Sequence, residues 1–312
     1  MASGSKFTNF LKNLFFILII IQFLPIVFSG VIKIVKKTFR PDTEVGLIKI
    51  GTIESAEYTV KKIRKFHENS DIKAILLKIN SPGGLPGASQ AIFNELKKFK
   101  KDKPIIAIVE DLCASGGYYI ACISDQIIAN PSSLIGSIGV RWSLPNIEKL
   151  LQKHNIRFDE VKSGKFKTIL SMTRERSPEE TTLLQNLSDD TYKQFTKDVS
   201  IWRKLSLKDE KIWADGKIFT GNQALELKLI DKLGSHSDAL DSLKEILTKR
   251  GIKIEGKIKL IKPKPRSGFA RFFGDENEEE QEGITTMLAT SISSIWNKIL
   301  CIESSKQAQL VA

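Results

Sequence analysis

Cysteine and histidine are both scarce, three of each in 312 residues. Cys113, Cys122 and Cys301 cannot build a disulfide framework, and no CxxC pair is present, which argues against a structural zinc site. A nucleophile that needs an imidazole base has only His67, His154 and His236 to choose from. None has a carboxylate partner recognisable by spacing, and each reads as a surface or capping residue. Acidic residues are also short, 36 Asp plus Glu against 48 Lys plus Arg, for a formal charge of +12. Such an excess can serve nucleic acid, an anionic membrane surface or plain solubility. The lysines are spread along the chain with no recognised nucleic-acid motif, so no nucleic-acid partner is expected. No internal repeat occurs. The chain is 41% hydrophobic and 27% charged, which fits a folded globular protein and excludes a disordered or collagen-like one.

What is present at the N-terminus changes the class. Leu14 to Ile32 is a run of 19 residues without a formal charge. About 20 apolar residues span a bilayer core as a helix. The run exceeds a signal-peptide core of about 7–15 residues, which favours a retained single-pass anchor over a cleaved leader. Lys6 and Lys12 precede it and Lys33, Lys36, Lys37 and Arg40 follow it, so charge does not orient it. The basic flanks suit anionic headgroups. The expected organisation is an anchor and basic flank over residues 1–40, a main folded domain over 41–250, and a distinct tail over 251–312.

Between these ends, short apolar runs alternate with helical spacing. Val45 to Ile50, Ile72 to Asn80, Pro104 to Val109, Gln126 to Ala129 and Leu134 to Val140 read as strands, and Ile156 to Val161 alternates like one. Ser55 to Glu68 and Ala88 to Phe99 read as helices, and Leu112 to Ile123 could open another. Ser177, Pro178 and Glu180 form a helix start, with a Ser cap, Pro at the first position and Glu at the third. This order predicts an α/β domain with much parallel pairing. In the tail, Ile252, Ile254, Ile258 and Leu260 alternate with charged residues as an edge or exposed strand. An acidic linker (Asp275 to Glu282) and an amphipathic helix (Ile284 to Leu300) follow.

Three segments could carry chemistry. Asn80-Ser81-Pro82-Gly83-Gly84 follows an apolar strand, and its glycines allow backbone N–H groups to face an anionic oxygen. Ala114-Ser115-Gly116-Gly117 follows another strand; a serine at a strand-to-helix turn stands clear, and the N–H after a nucleophile is a common oxyanion donor. Lys162 to Thr168 (KSGKFKT) holds three lysines. A lysine acts as base where burial lowers its pKa from ~10.4 toward ~7. Strand parity leaves Lys165 and Lys167 equivalent. Read singly, the segments also fit a turn, a helix cap and a solvated basic loop.

Together they resemble the signal peptide peptidase A (protease IV) and SohB-type serine peptidases. The likeness rests on NSPGG at Asn80 to Gly84, ASGGYYIA at Ala114 to Ala121, GSIGV at Gly136 to Val140, KSGKFKT at Lys162 to Thr168, and ADGKIFTGNQALELKLIDKLG at Ala214 to Gly234. These blocks stand in the family's order and cover about residues 45 to 245. The resemblance implies a ClpP/crotonase-like α/β fold with repeated ββα units and a Ser/Lys dyad. In it Ser115 is the nucleophile, Lys167 the base and Ser137 a hydroxyl that orients the lysine. The oxyanion donors would be the N–H groups of Gly116 and of the SPGG loop, Gly84 ahead of Gly83. No cofactor or metal is implied. A single copy of the blocks resembles the short form that assembles into membrane-associated rings, with Ser and Lys drawn from one or from adjacent protomers.

The implied activity is endopeptidase cleavage of signal-peptide remnants or other small apolar membrane-derived peptides. It would take place at a bacterial-type inner membrane, with the catalytic domain extracytoplasmic. Two departures stand out: Lys165 replaces a smaller or neutral residue two positions before the base, and Cys113, two before the nucleophile, reads as a buried packing residue. Two other classes share part of the pattern. A crotonase-fold enzyme would polarise an acyl thioester with the same N–H pair, without needing Ser115 and Lys167. A membrane-anchored ring with a degenerate site would act as a scaffold.

Overall fold

The structure is a computed structural model and describes residues 42–262. The apolar run Leu14 to Ile32, the acidic linker and the amphipathic segment after it lie outside the described residues. Among the described residues no helix is long and apolar enough to cross a membrane.

One mixed sheet organises the chain. Strand β1 (Thr43–Ile50) leads through helix α1 (Glu57–Glu68) to β2 (Ile72–Ser81), and α2 (Pro86–Phe99) leads to β3 (Ile105–Ala114). Helix α3 (Gly116–Ala121) follows, then β4 (Gln126–Ala129) and β5 (Leu134–Gly136). After α4 (Glu148–Lys153) and the long α5 (Pro178–Arg203) come α6 (Glu210–Trp213), β6 (Ile218–Thr220), α7 (Gly221–Glu226), β7 (Lys232–Leu233), α8 (His236–Lys249) and β8 (Ile258–Ile261). The main path runs β6-β5-β3-β2-β1-β8, with β4 pairing β3 and β7. All pairings are parallel except β5 with β6. Two strands in direct succession occur once among the described residues, at β4–β5; β1 to β4 and β6 to β8 alternate with single helices, and α4 to α6 follow one another without a strand, where repeated ββα units were expected.

The strand sequences explain this topology. Ile72–Ser81 is nearly continuous in apolar residues, and Ile72, Ala74, Ile75, Leu76, Leu77 and Ile79 are all fully buried. Runs of this kind belong to parallel strands covered on both faces. One face packs Ile48, Ile75, Leu77 and Ile79 against α1, α2 and α3 through Ile63, Phe93 and Tyr118. The other packs Val45, Leu76, Ile106 and Ile108 against α8 through Ala239, Leu243 and Leu247.

Strand β3 holds the key irregularity. Its first half pairs with β4 and its end with β5, and its register against β2 slips between Ile79 and Ser81. The slip lets Leu112 to Ala114 leave the central sheet line and deliver Ser115 at the end of the strand. Leu112 to Ala114 is therefore strand, and the helix in that region begins only at Gly116.

Ile156 to Val161 is not a strand. Ile156, Phe158 and Val161 are exposed, and among the described residues the segment pairs with no strand. An alternating pattern forms a strand only where a neighbour accepts its hydrogen bonds. The Ser177 start behaves as expected: Ser177 accepts from the Glu180 N–H and Glu180 accepts from the Ser177 N–H, at the head of a 26-residue helix. Ile258–Ile261, grouped by sequence with the tail, is the edge strand β8 beside β1.

The far end of α5 is tied down by charge. Arg203, whose side chain is 6% exposed, makes two 2.9 Å bonds to Asp231. Asp231 also accepts the Ile127 N–H at 2.7 Å, linking helix, loop and β4. Removing one partner of such a pair leaves a buried charge without a counter-ion. Asp231→Ala should therefore lower stability by about 3 kcal/mol in urea unfolding, and Asp231→Asn, which retains an acceptor for Ile127, by less. Equal stability of Asp231→Ala and the parent would show that the pair is not structural.

Candidate active site

Ser115 sits where β3 turns into α3, with φ 52° and ψ −124°. A left-handed φ on a residue with a Cβ costs on the order of 1–3 kcal/mol and persists only where its surroundings impose it. Here they do. The Ser115 N–H donates to Gly136 O at 2.8 Å, and the Tyr119 N–H donates to Ser115 O at 2.9 Å. The serine is half-buried at the mouth of a cavity of about 190 Å³.

The SPGG loop reaches the same cavity. Ser81, fully buried, donates its hydroxyl to Gly51 O at 2.5 Å and accepts the Gly83 N–H at 3.1 Å. Gly83 O accepts from Ile53 N, and the Leu85 N–H donates to Ile53 O, so Gly84 is bridged to Ile53 through its neighbours' groups. The Gly83 N–H is thus committed to Ser81. The N–H groups of Gly84 and Gly116 donate to no described residue, and both glycines line the cavity. This difference favours Gly84 over Gly83 as a donor on physical grounds.

Close packing explains the glycines. A Cβ on Gly116 would stand 2.3 Å from Ser89 Oγ and 3.4 Å from Gly84 N. A Cβ on Gly117 would stand 2.8 Å from Ser81 Cβ, and one on Gly83 2.7 Å from Ser115 Cβ. The two glycine pairs and Ser115 therefore lie in mutual contact distance. Ser137 is adjacent along the backbone, because the register pairs Ala114 with Gly136, but it does not line the cavity. Ser137 has φ 49°, and its N–H donates to Lys217 O at 2.6 Å.

Among the described residues no charged side chain lines the cavity. Its walls include Tyr119, Thr191, Gln194 and Phe195, with Pro86, Gln90 and Val140. Thr191, Gln194 and Phe195 fall at i, i+3 and i+4 on α5 and so share one helical face. Tyr119 donates to Asp198 at 2.5 Å and accepts from Gln194 at 3.2 Å. Burial, and then the Asp198 carboxylate, push the phenol pKa up, so Tyr119 remains a donor. Ser89 and the α5 wall residues Thr191, Gln194 and Phe195 were not singled out by sequence, and Ser81, Tyr119 and Val140 stood there only within longer motifs. Helical spacing on α5 was legible, but which face meets the cavity was not.

Lys167 is not part of this cluster. It is exposed, in a segment of turns, and does not line the cavity. Lys165, the alternative, is ion-paired with Glu179, and Lys162 donates to Thr168 at 2.9 Å. The three histidines lie elsewhere: His67 bonds Asp102, His154 ends α4, and His236 borders a separate groove with Lys78 and Glu110. Cys113 is fully buried, and desolvation pushes its thiol pKa far up, as suits a packing residue.

A half-buried serine held in a strained strand-to-helix turn, with two unengaged amide N–H groups beside it, is the kind of arrangement that serine-type acyl transfer uses. Comparison with known proteins gives the particular family. Residues 97–250 match the model of peptidase family S49. The chain is 43% identical over 194 residues to "Putative protease slr0021" of Synechocystis, covering 62% of this chain and 69% of that protein. It is 34% identical over 239 residues to "Putative signal peptide peptidase SppA" of Enterococcus faecium, covering 76% and 68%. It is also 32% identical to "Serine protease SPPA, chloroplastic" of Arabidopsis thaliana, covering 68% of this chain but 31% of that longer protein. The chain belongs to peptidase family S49 and is of the SppA/SohB type.

Proposed function

We propose that the protein is a membrane-associated serine endopeptidase in which Ser115 of one protomer works with Lys167 of an adjacent one. The observation that carries the reading is Ser115 itself, strained at the turn, beside the free Gly84 and Gly116 amides and an uncharged cavity. The absence of charge in the cavity suits apolar side chains such as those of signal-peptide remnants. The apolar run Leu14 to Ile32 supplies the membrane tether, with the catalytic domain on the extracytoplasmic side and the peptide arriving from the bilayer.

The trans arrangement is supported by the segment between Val140 and α5. Trp142, Leu150, Phe158, Val161, Phe166 and Leu170 are all exposed there. Apolar side chains concentrated on one exposed segment call for a covering surface, and a ring of copies supplies one. Packing against a neighbour would also desolvate the Lys167 amine, the condition under which a lysine gives up its proton. The amine then takes the Ser115 proton, the Ser115 oxygen attacks the scissile carbonyl, and the two amides hold the oxyanion. The protonated lysine next gives its proton to the leaving amine. Water repeats the cycle to free the acid and regenerate the serine. Ser137, alongside Ser115, would orient the incoming amine. The ClpP/crotonase-like assignment fits the parallel sheet and this pair of loop amides.

A serine-directed acylating probe should label Ser115 in the assembled protein and fail to label Lys167→Ala at a comparable rate. Undiminished labelling in folded Lys167→Ala would overturn the dyad. Turnover of an acyl thioester by Ser115→Ala, without peptide cleavage by the parent, would favour the thioester-type use of the amides, and unchanged cellular function in that variant would favour the scaffold.

A further inference from the structure

We propose that Arg174 and Glu180 are positioning residues that clamp the lysine-bearing loop onto the head of α5, a proposal that rests on Lys167 being the base. The loop needs such a device. From Lys162 to Ser171 it has no helix or strand, only turns such as Lys167 N–H to Gly164 O at 3.2 Å and Ser171 N–H to Thr168 O at 3.0 Å. The Lys165–Glu179 ion pair, solvent-exposed on both sides, holds the loop only weakly, and those turns do not fix where Lys167 stands relative to the rest of the molecule.

The clamp does. Arg174 donates to both the carbonyl (2.9 Å) and the hydroxyl (3.2 Å) of Thr168, the residue immediately after Lys167. The same guanidinium makes two bonds to Glu180, at 2.6 and 2.8 Å, and a third to Glu175 O at 2.9 Å. Glu180 is buried, at 4% exposure, and also accepts the Ser177 N–H at 2.9 Å. A planar fork of fixed geometry therefore joins a backbone atom next to the lysine to a buried carboxylate in the first turn of a 26-residue helix. Thr191, Gln194 and Phe195, further along that helix, form the cavity wall. One rigid element thus carries a substrate wall at its middle and the base loop at its head, so in a head-to-tail ring each protomer would hold its own wall and present its lysine onward in fixed relation.

The Glu180 carboxyl, bonded by Arg174 and by Ser177 N–H, has its pKa lowered to about 2, so the clamp stays ionised across any range in which a lysine base would titrate.

The test uses the full-length chain and four variants: Arg174→Lys, Arg174→Gln, Lys167→Ala, and Arg174→Lys with Lys167→Ala. Arg174→Lys keeps a charge beside Glu180, and with it the fold, but loses the second arm that grips Thr168. In protein with unaltered thermal unfolding, Arg174→Lys and Arg174→Gln should lower kcat about 10- to 100-fold with KM changed less than about 3-fold, the signature of a displaced group. Acylation of Ser115 by a serine-directed probe should slow to match. In the Lys167→Ala background the Arg174 change should slow acylation no further, because the clamp acts only through the lysine. A folded Arg174→Lys with parental kcat, or an equal loss with and without Lys167, overturns the clamp while leaving the dyad standing. Full acylation in Lys167→Ala alone overturns the dyad instead.

Discussion

Ser115→Ala and Lys167→Ala chains, each inactive alone, should recover peptide cleavage when co-assembled. If sites form head to tail across protomers, an equal random mixture should approach about a quarter of parental activity, since one site in four then pairs an intact serine with an intact neighbouring lysine. Each single change should cost on the order of 10⁴- to 10⁶-fold, because nucleophile and base act as one unit and either loss disables both. The expectation follows from distances within one chain. Thr168 is bonded by Arg174, which is held by Glu180. Glu180 is eleven residues before Thr191 on α5, and a helix rises 1.5 Å per residue, so the clamp lies about 16 Å along the axis from the cavity wall. Lys167 is exposed and outside the cavity. A neighbour that packs onto the exposed segment closes that gap. Subunit exchange is measured by differential tagging. Mixed rings that hold both variants and remain inactive would place the serine and its base in the same chain or assign the base to another residue.

The sequence carried most of the scaffold. A run such as Ile72–Ser81, apolar on both faces, has few places to go other than a covered parallel sheet, and Ser177, Pro178 and Glu180 mark a helix start whatever follows. The serine and the glycine loops were legible for a related reason: each follows an apolar strand, and a parallel sheet brings its strand ends to one edge. What could not be read is non-local. The split of β3 between β4 and β5, which aims Ser115, depends on two partners about 20 residues downstream. Ile156 to Val161 has strand periodicity but pairs with no strand among the described residues, and periodicity alone does not supply a partner. Lys167 lies in the turns that follow, where spacing gave no position relative to Ser115. Ser81 was seen as part of a turn motif, yet its service as donor to Gly51 and acceptor from Gly83 emerges only when β1 and β2 lie side by side.

Gly84→Ala should lower kcat about 10²- to 10³-fold while leaving the chain folded, the loss typical of one oxyanion donor. The methyl has nowhere to go: a Cβ on Gly84 would stand 2.1 Å from Ile53 O and 2.6 Å from Ile53 C, both backbone atoms. Relief requires the SPGG loop to lift off, which breaks the Leu85 N–H bond to Ile53 O (2.8 Å) and the Ile53 N–H bond to Gly83 O (2.9 Å). Those are the bonds that hold Gly84 in place, with its nitrogen 3.4 Å from where a Cβ on Gly116 would stand. The core is untouched, because the loop lies at the strand ends and the buried face of β2 stops at Ser81. Gly87→Ala is the matched control, on the same cavity, where an added Cβ meets nothing within 4 Å; it should stay near the parent. The decisive readout is binding of a peptide boronate or aldehyde, which forms a tetrahedral adduct with the serine. Donors used only for the oxyanion strengthen that adduct more than they strengthen substrate binding. Gly84→Ala should therefore weaken the inhibitor about as much as it lowers kcat/KM, with KM nearly unchanged. Parental inhibitor affinity in folded Gly84→Ala would mean that the oxyanion is held by Gly116 and some other group, and that the free Gly84 amide serves only to shape the loop.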